Sequence, residues 1–337
     1  MTYYTLPKLF KHNNDNIIYK IRIRSQESST VQNESLLEKF LNTLITDANR
    51  VKYEEIKTLY SFTDLLNLKL SDEIHHPKSY FAFIEISKVC NLFDKEHLNT
   101  LHMSDNYDYL DALYQIRKHK DNYIYLTEQF CVNLPEYITS ELVENVSSTT
   151  LFCLKYKFQM DLVCINTDDI NQIVRNMLTA LLVQKRGGKM VIKMKRLNSY
   201  ISKEIIYLLM SIYENVMIIK PKIVNSVNEY KYVVASNLSV DTNIHYNAIM
   251  SAIRMIYSMP PTFQITNLLT IELPQILINK VDECELIMSE NTLLTHMKIL
   301  NSIQVNNINV KSLEKKTESE TNNWLRENDD ACGNFVI

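Results

Sequence analysis

Two hydrophobic periods run along this chain, and the positions where one gives way to the other divide it. From Leu36 to Leu59, apolar Leu37, Phe40, Leu41, Leu44 and Ile45 recur at three- and four-residue spacing, which predicts one face of an amphipathic helix. From Tyr80 the pattern turns to short apolar runs: Phe81 to Ile86, Tyr123 to Leu126, Leu162 to Ile165, Met190 to Lys193, Val216 to Ile219 and Tyr232 to Ala235. Helical stretches such as Ile170 to Gln184 and Ser202 to Tyr213 lie between them. Strand-length runs alternating with helices predict βαβ units and a mostly parallel sheet. After Asn237 a helical face returns through Ile244, Ala248, Ile249, Ala252, Ile253 and Ile256, until Pro260-Pro261 stops it. Lys311 to Asp330 alternates Lys, Glu, Ser, Thr and Asn with few apolar residues, too few to offset the entropy of ordering. The expected division is a helical N-terminal extension (1–78), an α/β domain (79–240), a helical C-terminal lobe (241–305) and a flexible tail (306–337), with Trp324 of the tail outside any core.

Composition narrows the classes. At 337 residues and 46% hydrophobic content the chain can bury a full α/β core with additions. No apolar run approaches the roughly 18 residues of a membrane span, and the start lacks a basic region followed by an apolar stretch, so no membrane association and a cytoplasmic location are expected. Cys90, Cys131, Cys153, Cys164, Cys284 and Cys332 never fall at CxxC spacing and read as reduced core residues. His75-His76-Pro77 lacks partners at metal-ligand spacing, so no metal is expected. The net charge of −3 excludes a globally basic nucleic-acid binder but leaves room for a local basic patch. Glycine is scarce: Gly187, Gly188 and Gly333 are the only ones, where a usage of roughly 7% would give more than twenty. A glycine-rich phosphate loop is therefore absent, as are GxSxG, HExxH and Walker A patterns.

The most informative segment is Arg186-Gly187-Gly188-Lys189-Met190-Val191-Ile192-Lys193, in which a helix is expected to end at paired glycines and a buried strand to deliver a lysine to the sheet's carboxyl edge. Downstream come Glu214-Asn215-Val216-Met217-Ile218-Ile219-Lys220-Pro221-Lys222 and Asn228-Glu229-Tyr230-Lys231-Tyr232-Val233-Val234. Together these resemble the second half of FtsJ-like RNA ribose 2′-O-methyltransferases, whose pattern is GGxxVxK, a strand ending in Lys-Pro, and Glu-x-Tyr opening the last strand. Upstream, Asp161-Leu162-Val163-Cys164-Ile165-Asn166 resembles the family's DLVxSD strand. Phe83 to Cys90 is similar to the first strand and its S-adenosylmethionine loop, which reads CExPGGF in viral and cap-type members, with Glu85 kept and Ile86, Lys88 and Val89 at the glycine positions. Asn49 to Ile56 resembles the KxxEI helix that brings a first lysine.

The resemblance implies a Rossmann-like methyltransferase fold with an antiparallel last strand and helical additions. It implies S-adenosylmethionine as cofactor, bound by Glu85, Ser87 and Asn166, and a Lys-Asp-Lys-Glu tetrad that here becomes Lys52, Asn166, Lys193 and Glu229, with Asp168 as a substitute carboxylate. RNA, capped mRNA in particular, would meet Lys185, Arg186, Lys195, Arg196, Lys220 and Lys222. The implied function is cap-type RNA 2′-O-methylation of the kind found in large cytoplasmic DNA viruses, in host cytoplasm or virion. The alternative is a catalytically inactive accessory subunit of a capping, transcription or RNA-processing complex, to which Asn166 and the missing glycines point.

Overall fold

The computed structural model describes residues 2–6, 16–27, 43–61, 63–69, 76–128, 134–224, 230–305 and 310–328. Its centre is an eight-stranded sheet in the order β1-β8-β9-β7-β6-β3-β4-β5. The strands are β1 (Thr2–Thr5), β3 (Asn99–Ser104), β4 (Asn122–Thr127), β5 (Ile138–Leu142), β6 (Met160–Asn166), β7 (Gln184–Met194), β8 (Tyr213–Lys220) and β9 (Lys231–Leu238). The run β5-β4-β3-β6-β7 is parallel, while β9 lies antiparallel between β7 and β8. This is the mostly parallel, Rossmann-like methyltransferase fold with an antiparallel last strand. Chain direction across the sheet reverses between β3 and β6, since β3 leads outward to β4 and β5 while β6 leads the other way to β7. Ligands of open α/β sheets bind outside the carboxyl ends of the strands at such a reversal.

Burial explains the strand sequences. Every residue of β6 is buried, as a central strand covered on both faces requires. One face packs on α5 (Val146–Lys155), α6 (Ile170–Val183), α7 (Tyr200–Ile212) and α8 (Tyr246–Tyr257) through Leu101, Met103, Val163, Ile165, Met190 and Ile192. The other packs on α3 (Lys78–Val89) and α4 (Asp108–Arg117) through Tyr123, Tyr125, Leu162, Cys164, Val191 and Val234. Local caps start the crossover helices: Asn145 and Ser148 form a reciprocal box at α5, Asp169 accepts from Asn171 N–H at α6, and Ser199 accepts from Ser202 N–H at α7. Cys153, Cys164 and Cys284 are buried and, with Cys90, unpaired; Cys131 and Cys332 lie outside the described residues.

Several expectations are corrected. Phe81 to Ile86 is no strand but the middle of α3, whose residues from Tyr80 to Ser87 are all buried. A helix buried all round shows no amphipathic period, so its short apolar run cannot be told from a strand. The first strand of the parallel set is instead β3, hidden in the pattern because its buried positions include Thr100 and His102. The N-terminal extension is not purely helical: β1 adds to the β8 edge, and β2 (Ile21–Glu27) pairs with β10 (Phe263–Leu269) in a separate two-stranded sheet. Of the predicted helix at 36–59, the described part is α1 (Asp47–Leu59), followed by α2 (Thr63–Lys69). The C-terminal lobe contributes β10 as well as α9 (Gln275–Val305).

The expected flexible tail contains α10 (Val310–Asn328), and Trp324 is 1% exposed in the core beside Phe81. The glycine pair does not cap α6 either. That helix ends at Val183 with Gln184 already extended, and the glycines occupy an irregular stretch at the start of β7 where Gln184 and Lys189 flank the span opposite Met160 to Leu162. Gly187 takes φ +78°, and a Cβ on Gly188 would stand 2.6 Å from Gln184 Cγ and 2.9 Å from the Lys185 carbonyl.

Candidate active site at the carboxyl edge of the sheet

Two neighbouring sites form where β3 and β6 end. The first is a cluster around Lys193 at the end of β7. Its Nζ lies 3.0 Å from Asp168 Oδ1 and 4.1 Å from the centre of the Tyr230 ring, while the Tyr230 hydroxyl donates to Asp168 Oδ2 at 3.1 Å. A lysine held between a carboxylate and a π-face is a fixed positive charge. Asp108, at the first turn of α4, lies within the electrostatic reach of Lys193; burial pushes its carboxyl above the ordinary range, opposed by the Ser79 hydroxyl and by Lys193.

The second is a cleft of about 350 Å³ bounded by the ends of β3 and β4 and by α6. Tyr107 and Tyr125, with ring centres 4.7 Å apart, line its mouth. Asp105 and Glu128 bring carboxylates, and Arg175, half-buried on α6, pairs with Glu128 and lies over the Tyr257 ring at 5.1 Å. Burial lowers the Arg175 pKa, the Tyr257 hydroxyl opposing. The loop from Ser104 to Asp108 separates the two sites by alternation. Asp105 and Tyr107 line the cleft, whereas Asn106 accepts from Asn166 Nδ2 at 3.1 Å on the other side and Asp108 joins the Lys193 cluster. Asp105 N–H donates to the Asn166 carbonyl at 3.2 Å and Ser104 Oγ donates to the Asn106 carbonyl, so the loop is stitched to itself and to β6.

The structure redistributes the residues expected from sequence. Lys193, Asp168 and Asn166 come together at the carboxyl edge; Asn166 is buried, with its amide spent on Asn106. Lys52 stands on α1, which packs on α9 and α10. Glu229 lies outside the described residues, as does His75. Glu85 and Ser87 are not cofactor ligands: Ser87 Oγ donates to the Ile84 carbonyl, and the buried Glu85 carboxylate accepts from Lys222 N–H, Ile223 N–H and Trp324 Nε1–H. Of the basic residues, Lys220 is 0% exposed and donates to the Met288 carbonyl and the Thr292 hydroxyl, which removes it from any RNA surface. Lys222 pairs with Glu327. Lys185 pairs with Asp161 and Arg186 donates to the Ser239 carbonyl, both at the amino end of β7, opposite Lys193. Lys195 and Arg196, just beyond β7, remain at the carboxyl edge.

Asp105, Asp108, Glu128 and Arg175 were missed. The signal was the polar break Ser104-Asp105-Asn106-Tyr107-Asp108 before a helical pattern, which becomes meaningful once β3 is the first strand. With the CExPGGF pattern placed after β3, Asp105 takes the acidic position, and Tyr107, Asp108 and Tyr109 stand for Pro-Gly-Gly.

No protein-family model matches the sequence, and no curated protein matches it. Solved structures do. A protein assigned as a ribosomal RNA methyltransferase of Plasmodium falciparum matches over 49% of this chain and all of its own, at 15% identity and a TM-score of 0.38. Human methyltransferase-like protein 13 in complex with SAH matches over 54% and 90%, at 7% identity and 0.32. A protein assigned as a spermidine synthase of Corynebacterium glutamicum matches over 60% and 85%, at 11% identity and 0.37. The strand order, and not these scores, carries the fold.

Proposed function

We propose that this chain is a divergent RNA ribose 2′-O-methyltransferase of the mRNA-cap type, acting on RNA bound across its carboxyl edge. The observation that carries the reading is the adjacency of a nucleoside-sized cleft and a lysine–carboxylate cluster on either side of one loop at the topological switch. S-adenosylmethionine, which supplies an electrophilic methyl, suits the cleft in charge. Asp105, Glu128 and Arg175 sum to one negative charge, against the one net positive charge of the cofactor. In this reading Glu128, at the end of β4, would meet the ribose hydroxyls, Tyr107 and Tyr125 the base, and Asp105 the ammonium, all four lining the cleft. On the other side of the loop, Lys193 would orient the ribose hydroxyl and stabilise the developing alkoxide, with Asp168 taking its proton. Lys195 and Arg196 would meet the RNA phosphates.

A second reading, a non-catalytic accessory subunit of a capping or RNA-processing complex, is favoured by one observation: Asp108 and Tyr109 replace the glycine pair, and Asn166 replaces the family's aspartate. Calorimetric titration with S-adenosylmethionine, followed by methyl transfer to capped RNA with Lys193→Ala as control, separates the two. Binding and Lys193-dependent transfer support the enzyme. Absence of binding at millimolar cofactor, with or without capped RNA, sinks it in favour of the accessory role.

A further inference from the structure

A second cavity opens on the same edge of the sheet, on the far side of Lys193 from the cleft. It has a volume of about 420 Å³ and lies between the end of α1, α9, α10 and the turn that follows β8. β8 and β7 both run antiparallel to β9, so the turn Lys222–Val224 leaves the carboxyl edge as Lys193 does. Ile219 pairs with Tyr232 and Tyr232 with Lys193, which sets the end of β8 two strand spacings, roughly 10 Å, from the end of β7. α9 bridges that gap. Its Glu285 accepts from Leu197 N–H at 3.1 Å, just beyond β7, and from Lys231 Nζ at 2.6 Å at the start of β9. From Glu285 the helix runs past Lys220, which donates to the Met288 carbonyl and the Thr292 hydroxyl, to Asn291 and Lys298 on the cavity wall, about 9 and 20 Å further along its axis.

The walls are held and the lining is cationic. The Thr317 hydroxyl donates to the Leu59 carbonyl at 2.9 Å, tying α10 to α1, and the Tyr53 hydroxyl bonds His296 Nδ1, tying α1 to α9. Lys222, Lys298 and Lys316 bring three positive charges from three elements against Glu320 and Glu327. The carboxylates pair with Lys316 at 3.7 Å and with Lys222, contacts between exposed side chains that hold little energy and leave the ammonium groups open to a stronger acceptor. Tyr60 adds a flat wall and Leu294 an apolar one. Such a lining suits a phosphorylated nucleotide, with phosphates on the lysines and the base against the tyrosine. An internal phosphodiester offers one charge to three converging cations, whereas a 5′ phosphate chain offers several. We propose that this cavity receives the phosphorylated 5′ end of an RNA whose chain lies along α9 toward Lys193. The inference rests on RNA crossing the carboxyl edge, yet the helices that build the cavity stand outside the sheet and its crossover helices, and its test needs no methyl transfer.

In the full-length chain, fluorescence anisotropy compares a short 3′-labelled RNA bearing a 5′ triphosphate with the same oligomer bearing a 5′ hydroxyl, at one fixed salt concentration. The triphosphate oligomer is expected to bind roughly tenfold more tightly or better. Lys298→Gln combined with Lys316→Gln, both at exposed positions, should leave Tm and the affinity for the 5′-hydroxyl oligomer unchanged while abolishing the preference. Lys195→Gln, beside Lys193, should weaken both oligomers alike. Equal binding of the two oligomers by the wild-type chain overturns the inference, and so does a preference that survives in the double variant. A 5′-end preference in a chain that binds no S-adenosylmethionine keeps this site and sinks the enzyme reading. Lys193-dependent methyl transfer without any end preference sinks this site alone.

Discussion

Replacing His102 should stabilise the protein, and by an amount that depends on pH. His102 sits in the middle of β3, 1% exposed, between Tyr125 on β4 and Cys164 on β6, and neither ring nitrogen finds a hydrogen-bond partner among the described residues. An unsatisfied buried polar group costs about 1–3 kcal/mol, so His102→Leu, similar in volume and apolar, should gain an amount of that order at pH 7. Burial also depresses the imidazole pKa from 6.5 to about 3. A base with a depressed folded pKa contributes stability above its unfolded pKa, and that contribution is lost as pH falls toward the folded value. Below pH 6.5 the unfolded chain binds a proton the folded one refuses, at about 1.4 kcal/mol per pH unit, which amounts to about 2 kcal/mol at pH 5. Urea unfolding of both proteins at pH 7 and pH 5, with the midpoint multiplied by a common m-value, measures the gap. The gap should widen by about 2 kcal/mol at pH 5. A gap that is constant with pH would refute the reasoning, since it would mean that the imidazole is protonated or partnered alike in both states.

Other expectations are simpler. Trp324→Ala should cost about 3–5 kcal/mol in denaturant melts, the figure for emptying a large aromatic site, whereas a disordered tail would register no change. Gly188→Ala should destabilise more than Gly187→Ala: the first forces a Cβ into Gln184 and the Lys185 carbonyl, while the second meets only ordinary contacts and carries a left-handed strain of about 1–2 kcal/mol. Equal midpoints for the two would show that the bulge can shift to absorb either. Lys193→Ala should reduce methyl transfer by roughly 10²–10⁴-fold, with S-adenosylmethionine affinity unchanged in calorimetry. A loss of cofactor affinity instead would place Lys193 in the cleft rather than beside it.

Where residues announce their environment locally, the fold was legible. β4, β6, β7, β8 and β9 are continuous apolar runs because they lie inside a sheet covered on both faces, and α6, α7 and α8 carry clear helical faces. The failures share a cause. α3 is surrounded by core and so has no polar face to set a period, and β3 carries a threonine and a histidine into the interior. Exchanging these two put the expected cofactor loop at Ile86–Val89, within α3, and made an expected ligand of Glu85, whose buried carboxylate accepts from Lys222 N–H, Ile223 N–H and Trp324 Nε1–H. Lys193 and Asp168 were readable because both sit at ends of well-marked strands. Trp324 was not, since its partner Glu85 stands 239 positions away and the helix between its apolar residues is polar on most of its surface.

The pairing of β2 with β10 bears on how the chain is made. Thr266 reaches back to Arg24 across 242 positions, so β2 leaves the ribosome long before β10, its partner among the described residues, exists. At about 5–20 residues per second the interval is roughly 12–48 s, during which Ile21–Glu27 is made but β10 is not. Ile21–Glu27 therefore pairs with β10 only late despite being synthesised well before it, and a nascent chain stalled before Phe263 should expose a sticky strand that chaperones can engage.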